Sequence, residues 1–239
     1  MDKKIVLVTG ASSGIGEAVA RRLGAEKHTV VLTGRNRERL VALERAMATK
    51  GQRVVAVAGD LTKEAEAREV VAESLKTFGA LDALVHSAGI FRISPLETMT
   101  AKAFREVMDT NLTSLFLVLK SLLPHFYGRG RGQVVAISSI AGRQAFSDET
   151  AYCASKWGLQ GFLEALRLEA GPKGVKVTSV LPGATWTPAW QAFEGEVPEE
   201  KLLASETVAA AVAYALAQPE NALVESLVLR PSRDPFAEA

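Results

Sequence analysis

Short apolar, β-branched runs alternate with longer segments of helical periodicity along nearly the whole chain. The runs predict strands at residues 4–9, 29–33, 53–58, 82–86, 132–138, 175–180 and 224–229. The segments between them predict helices at 15–26, 37–50, 63–78, 103–127, 151–170 and 206–217. The strands at Ile5 to Val8 and at Val134 to Ile137 are apolar at every position, as expected when helices cover both faces of a sheet. The pattern therefore predicts an α/β fold with a doubly wound, seven-stranded parallel sheet and a site beyond the carboxyl ends of the strands.

The balance of charges excludes several classes of protein. The chain has 28 Lys and Arg against 27 Asp and Glu, a net charge of +1, so it lacks the basic field of a nucleic-acid or anionic-membrane binder. No apolar run approaches the roughly 18 residues of a membrane span, and the run Ile5 to Thr9 is too short for a signal peptide. Cys153 is the only cysteine, which fits a reducing compartment. We expect a cytoplasmic protein without nucleic-acid or membrane partners.

The length and the lack of an internal boundary predict one domain over residues 1–239. A chain of 239 residues that is 48% apolar can bury one large core, and neither a repeat nor a Pro/Gly-rich linker divides it. The segment 184–204, rich in Trp, Pro and Glu, is predicted to be a substrate lid, and residues 231–239 a frayed tail.

A glycine-rich turn, Thr9 to Gly16, follows the first predicted strand and leads directly into a helical pattern. Glycine lets the backbone approach a pyrophosphate closely, and a helix start offers unpaired N–H groups and a favourable dipole. The spacing is GxxxGxG rather than the commoner GxGxxG, but its place at the first βα turn predicts a Rossmann-type, dinucleotide-binding fold. The residues of the turn expected to bind the cofactor are Gly10, Ser12, Ser13, Gly14, Ile15 and Gly16.

The end of the second predicted strand indicates which dinucleotide binds. A carboxylate at this place would bind the ribose 2′-hydroxyl of NAD, whereas this chain has Arg35 and Arg37. A guanidinium group suits a 2′-phosphate, so NADP(H) is favoured and NAD(H) remains possible. The alternative is that both arginines only solvate the start of a helix.

Tyr152 and Lys156 lie four residues apart in a predicted helix and therefore share one face. A phenol with a pKa near 10 is a poor acid–base catalyst at neutral pH, and we expect the ammonium to lower that pKa. Ser138 and Ser139 follow the fifth strand, where a hydroxyl can donate a hydrogen bond to a substrate carbonyl as negative charge develops on its oxygen. These groups predict an oxidoreductase that interconverts a carbonyl and an alcohol.

On these motifs the chain resembles the classical short-chain dehydrogenase/reductase family over nearly its whole length, from Lys4 to about Leu229. The glycine-rich turn matches the family's cofactor loop, and Ser139, Tyr152 and Lys156 match its catalytic positions. The resemblance adds Asn111 as a fourth catalytic residue. It also implies cofactor contacts at Asp60, Leu61, Ala88, Gly89, Tyr152, Lys156, Pro182, Gly183, Thr185 and Thr187.

The resemblance also implies a role for each catalytic residue. Tyr152 would exchange a proton with the substrate oxygen, and Ser139 would hold that oxygen. Lys156 would acidify Tyr152 and bind the nicotinamide ribose, while Asn111 would anchor a water that links Lys156 to solvent. From its residue type alone, an asparagine in a helix is a local backbone-bonding residue.

Two departures from the family pattern concern the fourth strand and the C-terminus. His86-Ser87-Ala88-Gly89 stands where the family often has Asn-Asn-Ala-Gly, and we interpret His86 as a hydrogen-bonded structural residue. His28 and His125 have no companion ligands at metal-binding spacing, so no metal site is expected. The end of the chain lacks the glycine-rich strand with which many relatives build a tetramer. The run Leu115 to Leu119 is apolar on more than one helical face, which favours a homodimer through the helices at 103–127 and 151–170. The alternative is simple burial of this run against the sheet, and a homotetramer stays open.

The predicted substrate is a small carbonyl or alcohol. The candidate apolar walls of its pocket are Phe91, Phe146, Trp186, Trp190 and Phe193. They favour an apolar or aromatic carbonyl compound, although the tryptophans could equally pack the lid onto the domain. The rival functions are an NAD-linked alcohol dehydrogenase of the same family and a nucleotide-sensing protein without catalysis. Sensing requires neither an acidified phenol nor its lysine, which argues against the second rival.

Overall fold

The computed structural model describes residues 3–188, 190 and 199–233. These residues form a seven-stranded parallel sheet in the order β3-β2-β1-β4-β5-β6-β7. The strands β1 to β7 cover Ile5–Thr9, Thr29–Gly34, Val54–Ala58, Ala83–His86, Gly132–Ile137, Val175–Pro182 and Ser226–Leu229. The helices α1 to α7 cover Gly14–Ala25, Arg37–Ala48, Glu64–Phe78, Ala101–Met108, Ser114–Arg129, Thr150–Ala170 and Ser205–Leu216. The predicted sheet is confirmed.

Helices cover both faces of the sheet, which explains why the central strands are apolar throughout. On one face α1, α2 and α7 bury residues such as Leu23, Leu40 and Val212 against the sheet. On the other face α3, α5 and α6 bury residues such as Leu119 and Leu163. Apolar side chains on both sides of each strand stabilise this arrangement through the hydrophobic effect.

The chain changes direction across the sheet at β1. Val8 of β1 pairs with Leu32 of β2 on one side and with Val85 of β4 on the other. The successive strands β1, β2 and β3 lie on one side of this point, and β4 to β7 lie on the other. A crevice forms where the loops after β1 and β4 diverge, which is where ligands bind in doubly wound sheets.

The prediction of one helix over residues 103–127 is wrong in one respect. A π-helical turn at Asp109–Thr113 separates α4 from α5, and the backbone N–H of Ser114 donates to the carbonyl of Asp109, five residues earlier. A π turn accommodates one extra residue in a helix and is frequent at functional sites. Asn111 is buried at the centre of this turn, so the departure from α geometry serves to place that side chain.

Parts of the predicted lid and tail lie outside the described residues, namely residues 189, 191–198 and 234–239. The described part of the lid returns to the body of the fold, since Thr185 forms an isolated bridge with Leu203. Among the described residues, none of the helices combines the length and the apolar character needed to cross a membrane.

Candidate active site

A cavity of about 640 Å³ runs along the carboxyl ends of the strands, across the point where the strand order reverses. The predicted site residues that line it are Gly10, Ser12, Ser13, Gly14, Ile15, Arg35, Asp60, Leu61, Ala88, Gly89, Ser139, Tyr152, Lys156, Pro182, Gly183, Thr185 and Thr187. Of the described residues predicted at the site, four do not line it, namely Gly16, Arg37, Asn111 and Trp186. The fold therefore gathers residues from most of the chain into one elongated site.

The glycine-rich turn packs tightly against the loop after β4. Gly10 has a φ of +65°, and a Cβ at this position would come within 2.8 Å of the backbone of Ser87 and Ala88. The Thr9 hydroxyl oxygen accepts hydrogen bonds from the N–H groups of Ser87 and Ala88, both at 3.1 Å. Gly10 is thus required both by its left-handed conformation and by the close approach of two backbones.

The N-terminus of α1 opens into the cavity. Ser13 precedes the helix in an extended conformation and its side chain makes no capping hydrogen bond. The first-turn N–H groups of a helix have no partners within the helix, so these groups and the helix dipole favour an anion here. Gly16 lies one turn further on, where a Cβ would collide with the Gly10 carbonyl. Gly16 is therefore a packing residue rather than a lining residue.

His86 lies at the end of β4 and is 1% exposed. The Ser114 hydroxyl donates its single proton to the Thr110 carbonyl at 2.7 Å and therefore accepts from His86 Nε2 at 3.3 Å. His86 Nδ1 is left as an acceptor for the Thr9 hydroxyl at 3.0 Å. Burial, with a contribution from the Lys156 charge, lowers the pKa of His86 to about 3. His86 is a neutral ring that links β4, β1 and the π turn, which supports its interpretation as a structural residue.

At the far end of the cavity, the loop after β2 presents Arg35 to the solvent-facing side of the crevice. Arg37 is exposed at the first position of α2 and does not line the cavity. The Asn36 side chain caps α2 by accepting a hydrogen bond from the Arg39 N–H at 2.9 Å. Of the two arginines expected to meet a 2′-phosphate, the structure places Arg35 in the cavity.

Asp60 lies at the same end, beyond β3. One of its carboxylate oxygens accepts from the N–H of Thr62 at 3.1 Å and from its hydroxyl at 2.8 Å. Burial alone would raise the pKa of Asp60, but these two hydrogen bonds and the charges of Lys63 and Arg35 lower it below its usual value. Asp60 is therefore an ionised residue held in a fixed orientation beside Arg35.

Asn111 reaches the site through other residues. Its side-chain oxygen accepts from the Ile90 N–H at 2.7 Å, and its amide nitrogen donates to the Ile90 carbonyl and the Ser155 hydroxyl, both at 3.0 Å. A Cβ on Gly89 would lie 3.3 Å from the Asn111 oxygen and 3.7 Å from Lys156 Nζ. The side chain fixes the loop after β4 beside Lys156, which fits the backbone-bonding role expected from its residue type.

Ser138 and Ser139 directly follow β5, and their hydroxyl groups lie in different environments. Ser139 adopts an extended conformation and its hydroxyl accepts from the Ala141 N–H at 3.1 Å. It also lies near enough to the Tyr152 side chain to act on the pKa of the phenol, in the lowering direction. The Ser138 hydroxyl is buried in the cavity wall and has no hydrogen-bond partner within the described part of the chain. The sequence named Ser138 together with Ser139 as a candidate donor to a substrate carbonyl, and the family resemblance selected Ser139.

Tyr152 and Lys156 lie on one face of α6, as their spacing predicts. Lys156 Nζ lies 5.6 Å from the centroid of the Tyr152 ring and donates to the Ile137 carbonyl at 3.1 Å. Lys156 is 4% exposed, and burial lowers its pKa to about 8. The lysine therefore carries its charge at neutral pH but is costly to keep charged.

The expectation that the pKa of Tyr152 lies below its usual range is wrong. Burial raises this pKa to about 12, Ser139 acts in the opposite direction, and the nearby Glu149 raises it further. Burial outweighs Lys156 because the ammonium lies over the ring face rather than at the phenol oxygen. At neutral pH the phenol is protonated.

The rings of Phe91, Tyr152 and Trp190 form one wall of the cavity. The Phe91 ring meets the Tyr152 ring edge-on with centroids 4.9 Å apart, and the Trp190 ring lies 5.9 Å from Phe91. Trp190 Nε1 donates to the Thr185 carbonyl at 2.7 Å, which fixes the indole. Phe146 also lines the cavity.

Trp186 does not line the cavity, so its prediction as a pocket wall is wrong. Its backbone instead bonds the lid to the body of the fold, because its N–H donates to the Leu203 carbonyl and its carbonyl accepts from the Ser205 hydroxyl. The predicted wall residue Phe193 lies outside the described residues.

Glu149 is a lining residue that the sequence reasoning missed. It precedes α6 and lies three residues before Tyr152, so it shares the helix face of the predicted catalytic pair. That spacing was the signal that could have identified it. Among the described residues, no group of three or more His, Cys, Asp or Glu side chains could hold a metal ion.

Residues 4–197 match the family model described as short chain dehydrogenase. The chain is 32% identical over 237 residues to sepiapterin reductase of Chlorobaculum tepidum, with 96% of this chain and 97% of that protein covered. It is 35% identical over 241 residues to glycine betaine reductase of Emericella nidulans, but this match spans 98% of the chain and 19% of that longer protein. Among solved structures, an alcohol dehydrogenase from the archaeon Thermococcus sibiricus, complexed with 5-hydroxy-NADP, has a TM-score of 0.90 at 27% identity, covering 99% of this chain and 100% of that one.

Proposed function

Because the chain belongs to the short-chain dehydrogenase family, whose members act on CH–OH groups with NAD(P), we propose that it is an NADP(H)-dependent reductase of a small carbonyl compound. The observation that carries this proposal is the arrangement of three residues at one end of the cavity. Ser139, Tyr152 and Lys156 all line this end, Ser139 acts on the pKa of the Tyr152 phenol, and the Lys156 ammonium lies over the Tyr152 ring, 5.6 Å from its centroid. Such an arrangement can hold a carbonyl oxygen and give it a proton.

The residues present fit a dinucleotide. The open N-terminus of α1 suits a pyrophosphate, and the 2.8 Å approach of a Gly10 Cβ to the neighbouring backbone shows how little room a larger residue would leave there. Arg35 would bind a 2′-phosphate, and Lys156 would bind the ribose next to the reacting ring. When bound, the cofactor supplies the hydride that reduces the carbonyl carbon. The alcohol dehydrogenase with the similar fold was itself solved with an NADP derivative.

The chain's own residues handle the proton. The Tyr152 phenol, whose pKa of about 12 keeps it protonated at neutral pH, would donate its proton to the substrate oxygen as negative charge develops there. Ser139 would donate a second hydrogen bond to the same oxygen. Lys156 would stabilise the phenolate that remains, and Asn111 would position the loop that brackets Lys156.

A titration of the purified protein with NADPH and NADH, followed by fluorescence at one salt concentration, tests this function first. We expect NADPH to bind more tightly, and an NADPH-coupled screen of aldehydes and ketones to show turnover. If neither cofactor binds, the proposed enzyme is excluded. If both bind but no carbonyl compound or alcohol reacts, the nucleotide-sensing alternative is favoured.

Arg35→Ala should weaken NADPH binding by roughly tenfold to a hundredfold, because a charge-assisted contact with the 2′-phosphate is lost. NADH binding should change by less than about threefold, since NADH has no phosphate at this position. The measurement is the dissociation constant of each cofactor. Arg37→Ala is the matched control, because Arg37 is exposed but lies outside the cavity. Equal losses for both cofactors in Arg35→Ala would contradict this role.

We also propose a homodimer through the outer face of α5 and α6. Phe116 on α5 is 45% exposed and Trp157 on α6 is 53% exposed, and exposed aromatic residues of this kind mark interaction surfaces. The wild-type protein should have at least twice the 25.5 kDa mass of one chain. The double variant Phe116→Glu, Trp157→Glu should have the mass of one chain in light scattering. Tyr214→Glu on α7, at the opposite face of the sheet, is the control. A monomeric wild-type protein would contradict the proposal.

A further inference from the structure

A carboxylate stands beside the aromatic wall of the cavity. Glu149 lines the cavity together with Phe91, Tyr152 and Trp190, and its charge acts on the Tyr152 phenol. The three rings are contiguous, with centroid separations of 4.9 Å and 5.9 Å along the wall. An acidic group and several aromatic rings therefore face the space next to the predicted proton donor.

The Glu149 carboxylate has no hydrogen bond or ion pair with any described residue. It precedes α6, yet its side chain does not cap the helix. It is half-buried, and burial raises its pKa to about 7. A desolvated carboxylate without a partner destabilises a fold, so a structural role does not account for its position.

The other charges that line the cavity already have assignments. Lys156 donates to the Ile137 carbonyl, and Arg230 donates to the Gln144 side chain at 2.6 Å. Asp60 is the other carboxylate among the described lining residues. Asp60 follows β3, whereas Ser139 of the predicted catalytic set follows β5. These two strands are four positions apart in the sheet, a separation of about 19 Å at the usual strand spacing. Glu149 is therefore the acidic group that a substrate at Tyr152 would meet.

We infer that Glu149 and the aromatic wall of Phe91, Tyr152 and Trp190 form a subsite for a positively charged group, so that the preferred substrate is a carbonyl compound bearing a quaternary ammonium or protonated amine. This inference rests on the proposed reductase function and specifies its substrate class. A cation entering the subsite offers the carboxylate the partner that the protein does not supply, and aromatic ring faces attract cations. A purely apolar substrate would offer the carboxylate no partner and would favour its neutral, protonated form.

Three para-substituted benzaldehydes of similar size test this inference. They carry a trimethylammonio group, a tert-butyl group and a carboxylate, and so differ in charge at one position. The measurement is kcat/KM for each aldehyde with NADPH, in the wild type, in Glu149→Gln and in Asp148→Asn. The substituents also change the intrinsic reactivity of the aldehyde, but this effect cancels when the ratio of cationic to neutral substrate is compared between proteins.

We expect this ratio to fall about tenfold in Glu149→Gln, because the ion pair is lost while the aromatic wall remains. Asp148→Asn should keep the wild-type ratio. Asp148 is an exposed neighbouring carboxylate outside the cavity, and its φ of +59° is one that asparagine tolerates. The carboxylate-bearing aldehyde should be the poorest substrate of the wild type and should improve in Glu149→Gln.

A binding measurement separates this inference from the proposed function. Calorimetric titration with phenyltrimethylammonium, which has no carbonyl group, should show about tenfold tighter binding to the wild type than to Glu149→Gln. Aldehyde reduction with equal substrate ratios in all three proteins would overturn the cation subsite and leave the reductase intact. If neither these aldehydes nor any compound of the NADPH-coupled screen reacts, the reductase proposal fails, and the calorimetry alone decides on the subsite. Equal or absent binding of phenyltrimethylammonium in the two proteins would overturn it.

Discussion

Replacing Tyr152 by phenylalanine is expected to lower kcat for carbonyl reduction by about a thousandfold, within the range that general acid catalysis contributes. The change removes the hydroxyl that would protonate the substrate oxygen and leaves the ring that packs against Phe91. The dissociation constant for NADPH should stay within about threefold of the wild type, because Arg35 and the N-terminus of α1 are untouched.

The measurement is single-turnover reduction of the best aldehyde found, combined with the cofactor titration. A useful comparison is Tyr127→Phe, which removes a phenol hydroxyl from α5 outside the cavity and should keep wild-type turnover. If Tyr152→Phe retained a tenth or more of wild-type turnover, another group would have to be the proton donor.

Replacing Lys156 by methionine is expected to lower turnover by at least about a hundredfold and yet to stabilise the fold. Burial lowers the pKa of Lys156 from 10.5 to about 8, so keeping it charged at pH 7 costs about 3 kcal/mol. Losing the hydrogen bond from this charged group to the Ile137 carbonyl costs about 1.5 to 3 kcal/mol. We therefore expect the free energy of unfolding at pH 7 to rise by up to about 2 kcal/mol, measured by urea denaturation.

The sign of the pH dependence follows from the direction of this shift. Between about pH 8 and 10.5 the unfolded chain keeps a proton on Lys156 that the folded chain has released, so wild-type stability rises with pH in this window. Lys156→Met lacks this contribution. Its advantage over the wild type should be largest below pH 8, should vanish within this window and should reverse as the pH approaches 10.5. Lys102→Met on the exposed face of α4 is the matched control, because it replaces a lysine that is not buried. A constant difference between wild type and Lys156→Met from pH 7 to 10.5 would contradict the buried-charge argument.

The sequence predicted the sheet because its signals are local and agree with one another. Each strand is a short β-branched run, and the fully apolar runs such as Val134 to Ile137 lie in the buried centre of the sheet. The glycine-rich turn is also a local signal. The conformation and close packing of Gly10 restrict that position to glycine, so the sequence itself indicates the tight turn beside the crevice.

The features that the sequence did not predict depend on contacts between distant segments. Apolar periodicity continues through residues 103–127 and so predicts a single helix. The hydrogen bond between Asn111 and the Ile90 backbone accompanies a π turn that contains one extra residue, and the periodicity does not reveal it. The high pKa of Tyr152 reflects burial, which residue spacing does not reveal. Trp186 was expected in the pocket from its residue type, whereas hydrogen bonds to Leu203 and Ser205 hold its backbone against the body of the fold.

The hydrogen bonds through His86 keep the same donors and acceptors beneath the glycine-rich turn at every pH well above 3. Each hydroxyl in this series of bonds has one proton to give, so donation runs in a single direction from Thr9 through His86 and Ser114 to the Thr110 carbonyl. A second proton on His86 would reverse its bond to Thr9, whose oxygen would then have to accept three hydrogens with two lone pairs. Because the pKa of His86 is about 3, this reversal lies far below neutral pH. The orientation of every donor beneath the loop is thus set by connectivity and not by the acidity of the surroundings.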